Sequence, residues 1–177
     1  HLKAMIAPFM LRRIKTDKKI ISDLPEKVET NAYVGLSKKQ VVSYRKVVAE
    51  TAEKLKTLDG MQRRGLVFAT LMHLKQICNH PSQYLGNGDF SEKESGKFIM
   101  LREICETIYD KRERVLVFTQ FKEMTEPISK FLAGIFGREG LVLNGETSVR
   151  KRGQMVEKFN GEEYVPYMVL SVKAGGT

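Results

Sequence analysis

Hydrophobic and polar positions follow two different periods along this chain of 177 residues. Apolar side chains recur at helical spacing over residues 41–58 and 61–79. Further on, short apolar runs at 115–119, 141–143 and 168–171 alternate with amphipathic segments. Short strands that are apolar on both faces and alternate with helices are typical of a parallel sheet covered on both sides. The pattern therefore predicts a helical first part and an α/β second part.

Local signals predict where several elements begin and end. The sequence Ser37-Lys38-Lys39-Gln40 has capping-box spacing, which predicts a helix starting at Ser37, and Asp59-Gly60 stops that helix. Pro81 limits the second helix. The remaining predictions are a strand at 28–34, an exposed loop at 85–95, and helices at 96–109, 123–136 and 148–159.

Three polar segments follow the three predicted strands, at 119–122, 144–148 and 173–177. Right-handed crossovers bring the carboxyl ends of parallel strands to one edge of the sheet. Gly175 and Gly176 lack Cβ atoms, so their amides can approach an anion, and Thr147 stands beside the free amides of a helix start. Each segment alone is equally consistent with an ordinary turn or helix cap. Their convergence on one edge favours a phosphate-binding site.

Charge and residue inventory narrow the function classes. The formal net charge is +9, with the excess in residues 1–60 and 111–177, as is typical of polyanion binding, although scattered lysines also form solvated faces. Cys78 and Cys105 are far apart and are expected to be reduced thiols. The spacing of Cys78 to its neighbouring histidines matches no zinc pattern. The chain contains neither a nucleotide P-loop nor a supported catalytic constellation.

Several motifs in this order resemble the second half of the Swi/Snf-type ATPases, the DNA-translocating branch of helicase superfamily two. The similar segments are PFMLRR at 8–13, LPEK at 24–27, LKQICNHP at 74–81, SGK at 95–97, VLVFTQF at 115–121, the segment 143–150 with Phe159-Asn160, and VLSVKAGGT at 169–177. They correspond to the family's linker elements, the opening of its second motor lobe, and its motifs IV, IVa and V.

The resemblance implies a fold and a domain layout. Residues 1–27 would connect two motor lobes, residues 28–95 would form a strand and a helical protrusion, and residues 96–177 would form part of the second RecA-like lobe. The sheet would be an incomplete RecA-like parallel sheet with flanking helices. The family's motif V continues further than Thr177, so the sequence is expected to be a fragment cut inside that motif. Such a cut leaves the motif V strand as an exposed edge, open to a domain-swapped or edge-paired homodimer.

The resemblance also implies a function and a set of contact residues. The complete protein would be a DNA-dependent ATP hydrolase that uses ATP and magnesium and translocates along double-stranded DNA, whereas this fragment alone would be inactive and bind no cofactor. Arg12 and Arg13 would hold the connection between lobes. The residues implied to face the DNA backbone are Thr119, Gln120, Lys122, Gly145, Thr147, Arg150, Ser171, Lys173, Ala174, Gly175 and Gly176.

Two other readings stay open at this stage. One is a non-catalytic module in which the helical segment binds a protein partner and the sheet is a scaffold. The other, an unrelated dinucleotide-binding enzyme, needs a glycine-rich turn after the first strand, and residues 119–125 contain no glycine. No segment has the length and apolarity of a membrane span, so an intracellular location is expected, in the cytoplasm or nucleoid of a prokaryote or the nucleus of a eukaryote.

Overall fold

The computed structural model describes Met5 and residues 27–175, and the chain divides into two compact units, residues 1–33 and 34–177. The predicted roles of Arg12, Arg13 and Gly176 lie outside the described residues. The strand predicted at 28–34 is wrong, because these residues form neither strand nor helix. Val28 and Tyr33 are each 86% exposed, so the alternating side chains bury no face that would favour a strand.

The second unit begins with a helical part. Helix α1 spans Lys38–Leu55, α2 spans Gly60–Asn79 and α3 spans Pro81–Leu85. The predicted capping box at the start of α1 is confirmed: the Gln40 amide donates to Ser37 Oγ at 3.1 Å, and the Ser37 amide donates to Gln40 Oε1 at 2.9 Å. Helix α3 was not predicted, and Pro81 is its first residue.

Buried polar contacts hold α1 against α2. The Gln40 side chain is fully buried and its Nε2 donates to the Ile77 carbonyl at 2.8 Å, while the Thr51 and Thr70 hydroxyls lie 3.0 Å apart. Pairing of an early α1 residue with a late α2 residue makes the two helices antiparallel. The apolar face of α2 is less covered than its helical spacing predicts, since Phe68 and Leu71 are 69% and 50% exposed.

The α/β part contains three strands and their connecting helices. In chain order these are α4 (Gly96–Asp110), β1 (Val115–Thr119), α5 (Thr125–Phe136), β2 (Leu141–Leu143), α6 (Val149–Asn160), β3 (Tyr167–Ser171) and the short α7 (Val172–Gly175). All strand pairs are parallel and the order in the sheet is β1-β3-β2. The predicted strands and the helices between them are thereby confirmed, with shifts of one or two residues at the ends.

Each face of the sheet carries its own core. Tyr167 and Val169 point toward α4 and α5, where they join Phe98, Leu132 and Phe136. On the opposite face, a second cluster formed with α6 contains Leu143, Phe159, Val165, Met168, Leu170 and Ala174. Because β3 contributes to both clusters, all five of its residues are buried.

Two expectations about the sheet are corrected. The motif V strand, β3, is the central strand of the described sheet and is paired on both sides, so the unpaired edges belong to β1 and β2. The sheet is also not covered evenly, because Leu116 and Phe118 of β1 are 48% and 55% exposed on the face where α6 covers β2 and β3. Within the described residues, no helix combines the length and the apolarity that crossing a bilayer requires.

Candidate nucleic-acid interface

The carboxyl ends of the three strands, together with the start of α6, form one polar rim, here called the strand-end rim, which comprises residues 119–122, 144–152 and 171–175. Parallel pairing places these ends side by side, and Thr119 of β1 is the direct register partner of Ser171 of β3. The rim therefore gathers the three segments that the sequence predicts to converge.

Side chains tie the three segments of the rim together. Lys122 after β1 forms an ion pair with Glu146 after β2. Arg152, on the second turn of α6, donates from Nε to the Thr147 carbonyl at 3.0 Å and from Nη1 to the Ala174 carbonyl at 3.3 Å, which joins the segment after β2 to the one after β3. The sequence did not predict that Arg152 joins these segments, because Arg152 is one of three consecutive basic residues and nothing local distinguishes it from the other two.

The segment after β2 is a tight, internally bonded turn. Asn144 accepts at its carbonyl oxygen from the Thr147 amide and at Oδ1 from the Glu146 amide, both at 3.0 Å, and its own amide donates to Thr147 Oγ1 at 3.1 Å. The amides of Glu146 and Thr147 therefore have partners within the turn. An anion here would meet side-chain cations and the start of α6 more readily than these amides.

The predicted contact residues separate into exposed and buried groups. Thr119, Ser171 and Ala174 are each less than 10% exposed, and the Thr119 hydroxyl is used within the loop, where it accepts from the Phe121 amide at 3.3 Å. The exposed members are Gln120, Lys122, Gly145, Arg150 and Lys173, and Thr147 is half-buried.

Two corrections concern the segment after β3. It was predicted as a loop over 173–177, but Val172–Gly175 forms one helical turn, so Lys173 and Ala174 are helical and point in different directions. Lys173 is exposed and Ala174 joins the core on the α6 side. The paired-glycine cradle predicted from Gly175 and Gly176 extends past the described residues.

The free positive charges of the rim are Arg150, Lys151 and Lys173. Within residues 27–175, no carboxylate lies within ion-pairing distance of any of these three side chains. Exposed cations without acidic partners attract polyanions without the cost of breaking an internal ion pair. The described rim thus presents a positive surface formed by α6 and α7.

The motif LKQICNHP forms a buried junction behind the rim. His80 is fully buried and caps α3, because its Nδ1 accepts from the Ser82 amide at 3.1 Å. Its Nε2 lies 2.9 Å from the Ser91 carbonyl, so Nε2 carries the proton, and Ser95 Oγ donates to the Asn79 carbonyl at 2.6 Å. The loop predicted to be exposed at 85–95 is therefore anchored at its carboxyl end.

The two cysteines differ in their surroundings. Cys105 is buried in the core on the α4 side, and burial raises the pKa of its thiol to about 11. Cys78 is half-buried and its carbonyl oxygen accepts from Gln40 Nε2 at 3.2 Å. Among the described residues no group of three metal-ligating side chains is close enough to hold an ion.

A parallel sheet of this order with flanking helices, preceded by an antiparallel helical part, is an incomplete RecA-like α/β fold. Two family models match the sequence: the SNF2-related domain over residues 1–83 and the helicase conserved C-terminal domain over residues 96–177. The chain belongs to the Swi/Snf family.

Known proteins agree with this assignment. YwqA of Bacillus subtilis, named as an ATP-dependent helicase/translocase, is 38% identical over all of this chain, and human SWI/SNF-related matrix-associated actin-dependent regulator of chromatin subfamily A member 1 is 32% identical over 99% of it. The chain spans 19% and 17% of their respective lengths.

Solved structures show the same architecture. The Sulfolobus solfataricus SWI2/SNF2 ATPase core in complex with dsDNA has a TM-score of 0.79 at 39% identity, covering 96% of this chain and 36% of that one. The C-terminal domain of the same ATPase has a TM-score of 0.80 at 36% identity, covering 85% and 66% respectively.

Proposed function

We propose that this chain is the second motor lobe of an ATP-dependent double-stranded-DNA translocase, and that its strand-end rim binds backbone phosphates. The observation that carries the proposal is that the three strand ends share one rim, where Arg152 joins two of the loops and the exposed cations other than Lys122 have no acidic partner within residues 27–175. A similar ATPase core from Sulfolobus solfataricus has been solved with dsDNA, which supports duplex DNA as the ligand.

The exposed residues of the rim would make the contacts, and the buried ones would support them. Gln120, Lys122, Arg150 and Lys173 are exposed and would meet phosphate oxygens, and Gly145 leaves room for a close approach because nothing lies within 4 Å of where its Cβ would be. Phosphate contacts carry no base information, so binding should tolerate any sequence and weaken with salt.

The described residues do not fit magnesium and ATP by themselves. The carboxylates in and next to the rim already have partners, since Glu146 pairs with Lys122 and Glu123 Oε1 accepts from Gln83 Nε2 at 3.2 Å. We therefore assign ATP and magnesium to the complete protein, whose first lobe would supply the nucleotide-binding residues. In that protein, alternate gripping of phosphates by two lobes would convert hydrolysis into movement along the duplex.

Charge reversal of two free rim cations tests this function. Arg150→Glu combined with Lys173→Glu should weaken binding of a fluorescein-labelled DNA duplex more than about tenfold near 0.1 M salt, because two phosphate contacts become repulsive. Fluorescence anisotropy would measure this, and two duplexes of unrelated sequence should give matching affinities.

Lys130→Glu is the matched control, because Lys130 lies on α5 next to Ser129, whose carbonyl accepts from Tyr167 Oη at the opposite, amino end of β3. Binding that survives the double reversal would contradict the proposal and favour a protein-interaction module built on the same fold.

A further inference from the structure

Two lysines outside the rim continue its positive surface onto the helical part. Lys75 on α2 donates from Nζ to Oε1 of Gln120, a rim residue, at 3.4 Å. Lys97 in the first turn of α4 donates from Nζ to Asn79 Oδ1 at 2.8 Å. Asn79 follows Lys75 by one helical turn, so both residues lie on the same face of α2. The contacts form a continuous path from Lys97 through α2 to the rim.

Among the described residues neither lysine has an acidic partner, in contrast to other lysines of the helical part. Lys39 and Lys56 pair with Glu94 and Glu53 at 2.6 and 2.8 Å. Across residues 27–175, however, no carboxylate oxygen lies within 4.0 Å of Lys75 Nζ or Lys97 Nζ. Both side chains are exposed and bond only to neutral amide oxygens. Their charges are therefore available to an anion.

A groove separates the helical part from the end of β1, and both lysines line it. Its volume is about 650 Å³, and apolar side chains such as Leu74, Leu101 and Phe118 line it together with Gln120. A nucleic-acid backbone alternates charged phosphates with less polar sugars, so lysines beside an apolar wall match that alternation. The charge favours a polyanion over a neutral peptide as the occupant.

One carboxylate is linked to this path. Asn79 Nδ2 donates to Gln83 Oε1 at 3.1 Å, and Gln83 Nε2 donates to Glu123 Oε1 at 3.2 Å. Glu123 therefore accepts a hydrogen bond from a neutral amide and pairs with neither lysine. The charges of Lys75 and Lys97 are not neutralised by it. Its negative charge would limit how far a phosphate can move from Lys97 toward α5.

We propose that Lys75 and Lys97 are additional phosphate contacts, so that one DNA strand follows the rim and then continues along this groove on the helical part. The inference rests on the proposed function, since it extends the same DNA backbone past the residues that the motifs suggest. Under this proposal the lysine of LKQICNHP and the lysine of SGK both bind DNA, although neither belongs to the rim.

Single substitutions in the full 177-residue chain test this proposal. Lys75→Gln and Lys97→Gln should each weaken duplex binding about 5- to 8-fold near 0.1 M salt and reduce the slope of log affinity against log salt by about 0.9. Lys75→Arg keeps the charge and should bind within about twofold of the unsubstituted chain. Lys130→Gln, the same substitution at the opposite end of the sheet, should leave affinity and slope unchanged. Equal urea midpoints would confirm that all variants are folded.

The possible results distinguish a failure of this inference from a failure of the proposed function. If both glutamine variants bind normally while the Arg150 and Lys173 double reversal does not, the inference is overturned and the rim function stands. If the unsubstituted chain binds no duplex, the proposed function fails with it. A third outcome, in which the glutamine variants lose affinity for polyglutamate but keep it for DNA, would overturn the inference in favour of an acidic protein partner. An equal loss in Lys75→Arg would also overturn it, because charge would then not be the cause.

Discussion

At the scale of single residues, His80 shows how the LKQICNHP motif acts inside the protein. One ring nitrogen caps α3 and the other donates to the Ser91 carbonyl, while Phe90 and Phe98 lie with ring centroids 5.0 and 5.1 Å from the imidazole. The histidine thereby joins the end of the helical part to the segment that precedes α4. From the sequence, the three histidines look scattered and carry no role.

We expect His80→Ala to destabilise the chain by about 2–5 kcal/mol, because two buried backbone groups lose their partners. Urea unfolding followed by circular dichroism would measure the change. His73→Ala is the matched control, since His73 is exposed and its ring contact is an edge approach to Tyr84 at 5.2 Å. A loss below about 0.5 kcal/mol in His80→Ala would show that water replaces both contacts.

Glu146 is the residue whose charge opposes the proposed function. It places a carboxylate on the rim and pairs with Lys122, and the side chains of Glu146 and Lys122 are 75% and 48% exposed. A phosphate approaching Lys122 must displace Glu146 and also meets its repulsion. Glu146 therefore sets an upper limit on how tightly the rim holds DNA, which would favour release during translocation.

We predict that Glu146→Gln strengthens duplex binding about 5- to 8-fold near 0.1 M salt, since removing one rim carboxylate is comparable to adding one phosphate contact. Anisotropy titrations at several salt concentrations would measure it. Glu163→Gln removes a carboxylate that pairs with Lys158 at 3.8 Å, before the amino end of β3, and should have no effect. Unchanged or weaker binding of Glu146→Gln would show that Lys122 is not a phosphate contact.

At the scale of secondary structure elements, the start of α4 depends on a close backbone approach. A Cβ on Gly96 would lie 2.2 Å from the Gly35 carbonyl oxygen. This oxygen is a backbone atom, so it cannot move away by a side-chain rotation. The SGK motif therefore needs glycine for packing, whereas its lysine is free for binding. Gly65 in the middle of α2 has nothing within 4 Å of its Cβ position.

The two glycines should respond oppositely to alanine. Gly96→Ala should lower the free energy of unfolding by about 1–3 kcal/mol through overpacking. Gly65→Ala should raise it by about 0.5–1 kcal/mol, because alanine is the better helix former. Urea titrations of both variants would measure the changes. Equal effects would contradict the close contact between residues 35 and 96.

At the scale of the whole molecule, the sheet has an apolar surface that no described element covers fully. Leu116 and Phe118 are apolar and half exposed on β1, an edge strand. The sequence predicts a homodimer paired at the motif V strand, which is central in the described sheet; pairing of two copies through β1 instead is a prediction that sedimentation at several protein concentrations would test. An intracellular location is likewise a proposal for the complete protein.

We expect the 177-residue chain to hydrolyse ATP at background rates, with and without duplex DNA, because the described residues do not fit magnesium and ATP. A phosphate-release assay would measure this, and a complete Swi/Snf ATPase would serve as the positive control. Turnover stimulated by DNA in the purified chain would contradict the division of roles proposed here.

The strands, the helix starts and the convergence of three loops could be predicted from the sequence because they depend on local periodicity, on caps such as the one at Ser37, and on the fixed handedness of crossovers. The strand predicted at 28–34 is wrong, because alternation of apolar and polar residues does not show whether a neighbouring strand is present to pair with it. The roles of Arg152 and Glu146 could not be predicted either, because their partners are backbone and side-chain groups on other segments.

The sequence by itself determined the family, the α/β class and the rim, since each is encoded in the order and spacing of short motifs. Only the tertiary structure decided which residues of the rim are exposed, which charges are neutralised and how Lys75 and Lys97 extend the surface. Exposure and charge pairing depend on distances between segments far apart in the chain, and those distances exist only after the helices pack on the sheet.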